Sequence, residues 1–108
     1  MPTDLRGTTI RWTYADGPMK GKHFEHSFTD DTVTWKDAGE PKPSADSHAK
    51  YEFQRISDDV YVVSYLSNHG FTLTTVVDER SGAIVSFASN EKDLVVQRGN
   101  LDRTVAPA

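Results

Sequence analysis

The 108-residue sequence contains no cysteine, which excludes disulfides, thiolate nucleophiles and cysteine-ligated zinc. Concentrated charge is also missing. Twelve Lys and Arg stand against 16 Asp and Glu, for a formal net charge of −4, and neither sign gathers into an interaction tail. Phosphate binding needs a clustered Lys/Arg footprint, so nucleic acid is not an expected partner. No apolar run approaches the roughly 18 residues that cross a bilayer. The opening "MPTDLRGTT" has neither the basic start nor the apolar stretch of a secretory signal. The expectation is a soluble, cytoplasmic protein with no membrane partner. A long helix is missing too, because no segment carries sustained helical periodicity.

What the chain does contain is a series of short stretches rich in Thr, Val, Tyr, Phe and Trp, punctuated by Gly, Asp, Asn and Pro. That spacing is the signature of an all-β sandwich or barrel. "TTIRWTYADGP" sets Ile10, Trp12 and Tyr14 on one face of a first strand. "KHFEHSF" sets Phe24, His26 and Phe28 on one side and His23, Glu25 and Ser27 on the other. "TVTWK" follows, then the polar connection "DAGEPKPSADSHA", which reads as a solvated linker or as a flap over one end of a pocket. "KYEFQRI", "VYVVSYL", "GFTLTTVVD", "AIVSFAS" and a short "DLVVQR" complete seven to eight strands.

The connectors between the later strands are hairpin turns, which makes neighbours antiparallel and the order up-and-down. Closing such a sheet removes its two exposed edges. The expected fold is therefore all-β: a single small antiparallel up-and-down β-barrel over residues 1–108, with its core in 5–98. The polar tail 99–108 is expected to fray.

Three stretches resemble a known group: "LRGTTIRWTYADG", "DDTVTW" and "ISDDVYVVSYLSNHGFTLTTVVDERSGAIVSF". They are similar to the MoaF-like and phenolic-acid-decarboxylase branch of the lipocalin-like (calycin) barrels. The resemblance implies a lipocalin-like barrel that forms dimers. Under it, Tyr14 matches a tyrosine that holds the decarboxylases' substrate carboxylate, and Trp12 stands in place of their first tyrosine. Ser67 occupies the position of their catalytic glutamate. Only Lys42, His48 and Lys50 are available near the place of their pocket arginine, so the machinery that protonates and orients the acid is not retained. The plainer MoaF-like proteins, tied by name to molybdenum-cofactor biosynthesis, fit the length better.

The inward faces then define candidate ligand-binding residues: Trp12, Tyr14, Phe24, His26, Trp35, Tyr61 and Tyr65. Tyr51 and Phe53 are expected in one core layer or the other. Rings with a few hydroxyl and imidazole groups suit a small aromatic or amphipathic organic ligand, although the same rings could simply fill a narrow barrel. No metal or other cofactor is expected. In a strand His23 and His26 point to opposite faces, so one ion cannot collect both, and His48 and His69 are read as loop residues.

His26 and Tyr14 are the candidate catalytic residues, with His26 expected to titrate near neutrality on the aromatic face. A slip of one residue would instead turn His23 and Glu25 inward. Three readings result: a small-molecule-binding barrel; a lyase or isomerase using His/Tyr acid-base chemistry; or a structural dimerising module with a filled core. The apolar outer face of "VYVVSYL", at Val62 and Leu66, points to a homodimer.

Overall fold

Alternation of apolar and polar residues with period two dictates the strands, and the burial pattern follows it. A computed structural model describes residues 5–37, 42, 47–67 and 70–105, without the side chains of 103 and 105. Eight strands follow one another: β1 (Thr9–Tyr14), β2 (His23–Phe28), β3 (Thr32–Asp37), β4 (His48–Arg55), β5 (Val60–Leu66), β6 (Thr72–Asp78), β7 (Ala83–Ser89) and β8 (Leu94–Val105). Each pairs antiparallel with the next, and β8 returns to β1 to close the barrel. The closed up-and-down barrel expected from the hairpin spacing is what forms. Among the described residues no helix is long and apolar enough to cross a membrane.

The turns carry out the chemistry their residues suggest. In the β6/β7 turn the Asp78 carboxylate accepts from the amides of Arg80 and Ser81 at 3.0 and 3.3 Å. Gly82 then takes φ +79°, a backbone state that other residues enter at a steric cost.

Register settles which side chains point inward. Ile10 lies opposite His26 and Trp12 opposite Phe24, while Arg11 lies opposite Glu25. The β1 face therefore alternates buried Ile10, Trp12 and Tyr14 with half-buried neighbours. On the outside Arg11 donates to Glu25 at 2.7 Å and Lys36 lies 3.4 Å from the same carboxylate.

The two ends of the barrel differ. At the end holding the β2/β3, β4/β5 and β6/β7 turns, Ile10, Phe28, Val33, Tyr61, Val63, Val77 and Ile84 form a dense cluster. Leu5 is buried in it, and the Gly7 amide donates to the Phe28 carbonyl at 2.8 Å. The segment before β1 thus caps this end. Full burial of each Ile, Leu or Val contributes about 1.5–3 kcal/mol, so this half supplies much of the hydrophobic stabilisation.

Two sequence expectations need correction. The tail was expected to fray from residue 99, but β8 continues to Val105 and pairs with β1 from Thr9 to Tyr14. Its polar side chains mislead because the inward sites are taken by Gly99 and half-buried Leu101, while Asn100 and Asp102 face solvent. His48 is not a loop residue; it begins β4, exposed, opposite Thr34. Most of the 38–47 connection, and with it the flap reading, lies outside the described residues, as does His69.

Closure between β8 and β1 depends on one glycine. Gly99 faces Tyr14 at the last pair of this ladder, beyond a register shift between Arg11 and Trp12. A Cβ at Gly99 would fall on the Thr13 carbonyl, so the strands approach closely only because that atom is absent.

Candidate functional site

The other end of the barrel is hollow. A cavity of about 380 Å³ lies there, lined by Tyr14, Phe24, His26, Trp35, Tyr65, Leu73, Ala88, Val95 and Gln97 on the strands. Pro18 and Met19 of the β1/β2 turn, with Ser67 and Phe71 beside the β5/β6 turn, form its mouth. Among the described residues no charged side chain lines it. The filled-core reading does not describe this end.

Five of the seven expected ligand-binding residues line the cavity: Tyr14, Phe24, His26, Trp35 and Tyr65. Trp12 and Tyr61 face inward as expected but lie deeper, in the packed core, each 1 % exposed. Alternation identifies the face of a strand; the depth of a residue along the barrel axis depends on the stagger between strands. Leu73, Ala88, Val95 and Gln97 also line the cavity, and aliphatic, small or polar residues in late strands give no aromatic signal in the sequence.

His26 is the centre of the site. Its ring stacks on Trp12 with centroids 4.2 Å apart and an interplanar angle of 15°. Its Nε2 shares a hydrogen bond of 2.9 Å with the Tyr65 hydroxyl, while Nδ1 is buried with no hydrogen-bond partner among the described residues. Trp35 in turn stacks on Tyr65 at 4.8 Å. Beside this pair, the Tyr14 hydroxyl donates to Ser86 Oγ at 3.1 Å, and Ser86 shares a 2.7 Å bond with Thr75. All three of those polar residues are buried. At the mouth the Gln97 amide oxygen accepts from the Met19 amide at 3.0 Å, tying the β1/β2 turn to β8.

The slipped register is excluded by the pairing. His23 is exposed on the outer face, where Thr13 Oγ1 meets its Nδ1 at 2.6 Å. Glu25 is held by Arg11 and Lys36, whose positive charges keep its carboxyl below the usual range, the Arg11 hydrogen bond contributing most. The His23/Glu25 couple does not reach the cavity. Among the described residues no group of three His, Asp or Glu side chains comes together as a metal site requires.

Electrostatics corrects a second expectation. Desolvation pushes the His26 imidazole from 6.5 down to about 3, against a small opposing pull from Glu25. A histidine in this setting is neutral at physiological pH, whereas exposure to water would have let it titrate there. The same burial raises the Tyr65 and Tyr14 hydroxyls above the ordinary tyrosine value. The two candidate catalytic groups, His26 and Tyr14, both line the cavity but keep fixed charge around neutrality, which makes them weak proton carriers and good hydrogen-bonding groups.

A family model described as MoaF N-terminal domain matches residues 1–93. The chain belongs to the MoaF family. A solved structure from Burkholderia vietnamiensis, described as a "putative beta-lactamase", is 18 % identical with a TM-score of 0.73, covering 97 % of this chain and 99 % of its own. At that identity the MoaF-family chain shares its barrel, and the likeness says nothing of the reaction. Among curated proteins none matches the sequence. Ser67, which the resemblance places where the decarboxylases carry their glutamate, lines the mouth of the cavity. Lys42, His48 and Lys50 are all exposed and line no part of it.

Proposed function

We propose that this MoaF-family barrel binds a small aromatic or amphipathic organic molecule in the cavity at its open end. The observation that carries the reading is the cavity itself: about 380 Å³ between largely aromatic walls, with Tyr14, His26, Tyr65 and Gln97 as polar-headed members of its lining. Small-molecule sites have this size and this mixture of apolar wall and few fixed polar groups. Binding is favoured over acid-base catalysis because the His26 imidazole, held at about 3 by burial, neither gains nor loses a proton near neutrality.

A neutral fluorescent hydrophobe, N-phenyl-1-naphthylamine, tests this directly. Its emission should rise on titration with the protein, and Ala88→Trp, which fills the cavity from β7, should abolish the rise. Equal enhancement by the Ala88→Trp variant would place the probe elsewhere and overturn the reading.

For the homodimer expected from the sequence, we propose the outer face of β7 and β8 as the contact. Phe87 and Val96 lie opposite one another there, 39 % and 37 % exposed, with Leu94 75 % exposed nearby. On β5 the expected face is smaller, since Val62 is half-buried and only Leu66 is prominently exposed. A closed barrel has no free edge to add a strand to, which leaves face-to-face packing of a second copy as the way to cover these side chains.

A further inference from the structure

Among the described residues the hydrogen-bond count at His26 and Tyr65 does not close. A neutral imidazole carries one N–H and a phenol one O–H, so the pair holds two protons. Their single shared bond between Nε2 and the Tyr65 hydroxyl uses one of them. If Nε2 carries the proton, the Tyr65 O–H is left over; if Tyr65 donates, the Nδ1–H is left over. Either way one donor lacks an acceptor, and Nδ1 is buried with no protein partner in a residue only 4 % exposed. A buried donor without a partner is costly. The neighbouring polar groups do not remove the deficit: the Tyr14 hydroxyl is directed to Ser86 and Ser86 to Thr75, and none of the three is hydrogen-bonded to His26 or Tyr65.

Charge narrows the choice of acceptor. An anion entering the cavity would be desolvated with no cation to meet it, since no Lys or Arg is among the described lining residues. The nearest basic pair, Arg11 and Lys36, is on the outer face and holds Glu25. Burying an unpaired carboxylate costs far more than burying a carbonyl that gains a hydrogen bond. We propose that the ligand is uncharged and conjugated and presents a carbonyl-type acceptor to the His26–Tyr65 pair, its flat body lying against Trp35 and Phe24. This rests on the binding reading above and reverses the preference for a carboxylate that the decarboxylase resemblance would suggest.

Three probes of one shape test it: benzylideneacetone, the near-isosteric cinnamate anion, and the hydrocarbon β-methylstyrene, each titrated at neutral pH and followed by tryptophan fluorescence and by amide shifts of the cavity strands. The ketone should bind at least about tenfold more tightly than cinnamate and several-fold more tightly than the hydrocarbon, the scale of one net buried hydrogen bond and an avoided buried charge. In His26→Phe/Tyr65→Phe the ketone should lose its advantage over the hydrocarbon. Cinnamate binding as well as the ketone would overturn the inference while leaving a ligand in the cavity. A ketone preference that survives the double variant would assign the donor to another group, such as the Gln97 amide, and also overturn it. If none of the three perturbs the cavity strands, the binding reading falls and this inference with it. The wild-type series needs no variant to fold.

Discussion

Replacing His26 should change how the protein responds to acid more than how it responds to anything else. Folded, the imidazole accepts a proton only near pH 3; unfolded, it does so near the ordinary 6.5. Between those values the unfolded chain binds the additional proton, so lowering the pH favours unfolding. The stability associated with the neutral ring is complete above 6.5 and is lost progressively toward 3.

Each pH unit in that window is worth about 1.4 kcal/mol, and moving from about pH 7.5 to about pH 5 therefore removes about 2 kcal/mol. With a urea dependence of roughly 1–2 kcal/mol per molar for a domain of this size, the midpoint should fall by about 1–2 M. In His26→Phe this part of the slope should vanish. The depressed carboxyls of Asp16, Glu25 and Asp78 also weaken the fold in acid, but they act as pH falls below the carboxylate range and are common to both proteins. The assay is urea unfolding followed by tryptophan fluorescence, comparing the two proteins across that range. Parallel pH dependences would show that His26 is not held neutral, and the argument from burial would fail.

Other perturbations separate the parts of the molecule. Gly99→Ala should destabilise the fold by about 1–3 kcal/mol, the usual cost of overpacking, and in hydrogen exchange the amides of β1 and β8 should lose protection before those of β5 and β6. Uniform loss of protection would refute a local fault at the seam. His23→Ala and Glu25→Gln should leave probe binding within about twofold because both side chains lie on the outer face of the barrel, away from the cavity, and Glu25→Gln should cost at most about 1 kcal/mol of stability. A large loss of binding would mean that the register of β2 is wrong. Phe87→Glu should convert a dimer to a monomer in sedimentation without altering the cavity. A wild-type protein that sediments as a monomer at all concentrations would remove the proposed contact.

Much of this arrangement was legible in the residues, for identifiable reasons. Phe24, His26 and Phe28 alternate with polar neighbours, and the phase of the pleat that buries two phenylalanines also turns His26 inward; pairing with β1 selects that phase over the slipped one. Closure was legible because short hairpin connectors leave each strand beside the next. The split between cavity and core was not, since Trp12 and Tyr14 share a face and differ only in depth. The extent of β8 was hidden by Asn100 and Asp102, whose outward positions tolerate any polar residue once backbone pairing with β1 is made. The state of His26 was misjudged because a one-dimensional pattern carries no measure of desolvation. Enclosure by Trp12, Phe28 and Tyr65 removes the water that would stabilise the imidazolium.

The capped end and the hollow end also divide what substitutions can do. Ile10, Val33, Val77 and Ile84 hold the strands together at a distance from the mouth, so Phe24, Leu73, Ala88 and Val95 can change size without dissolving that cluster. A barrel organised in this way can reshape its open end while keeping its architecture. Among its relatives, the size of the residues lining the cavity should therefore vary much more freely than the packing around Leu5.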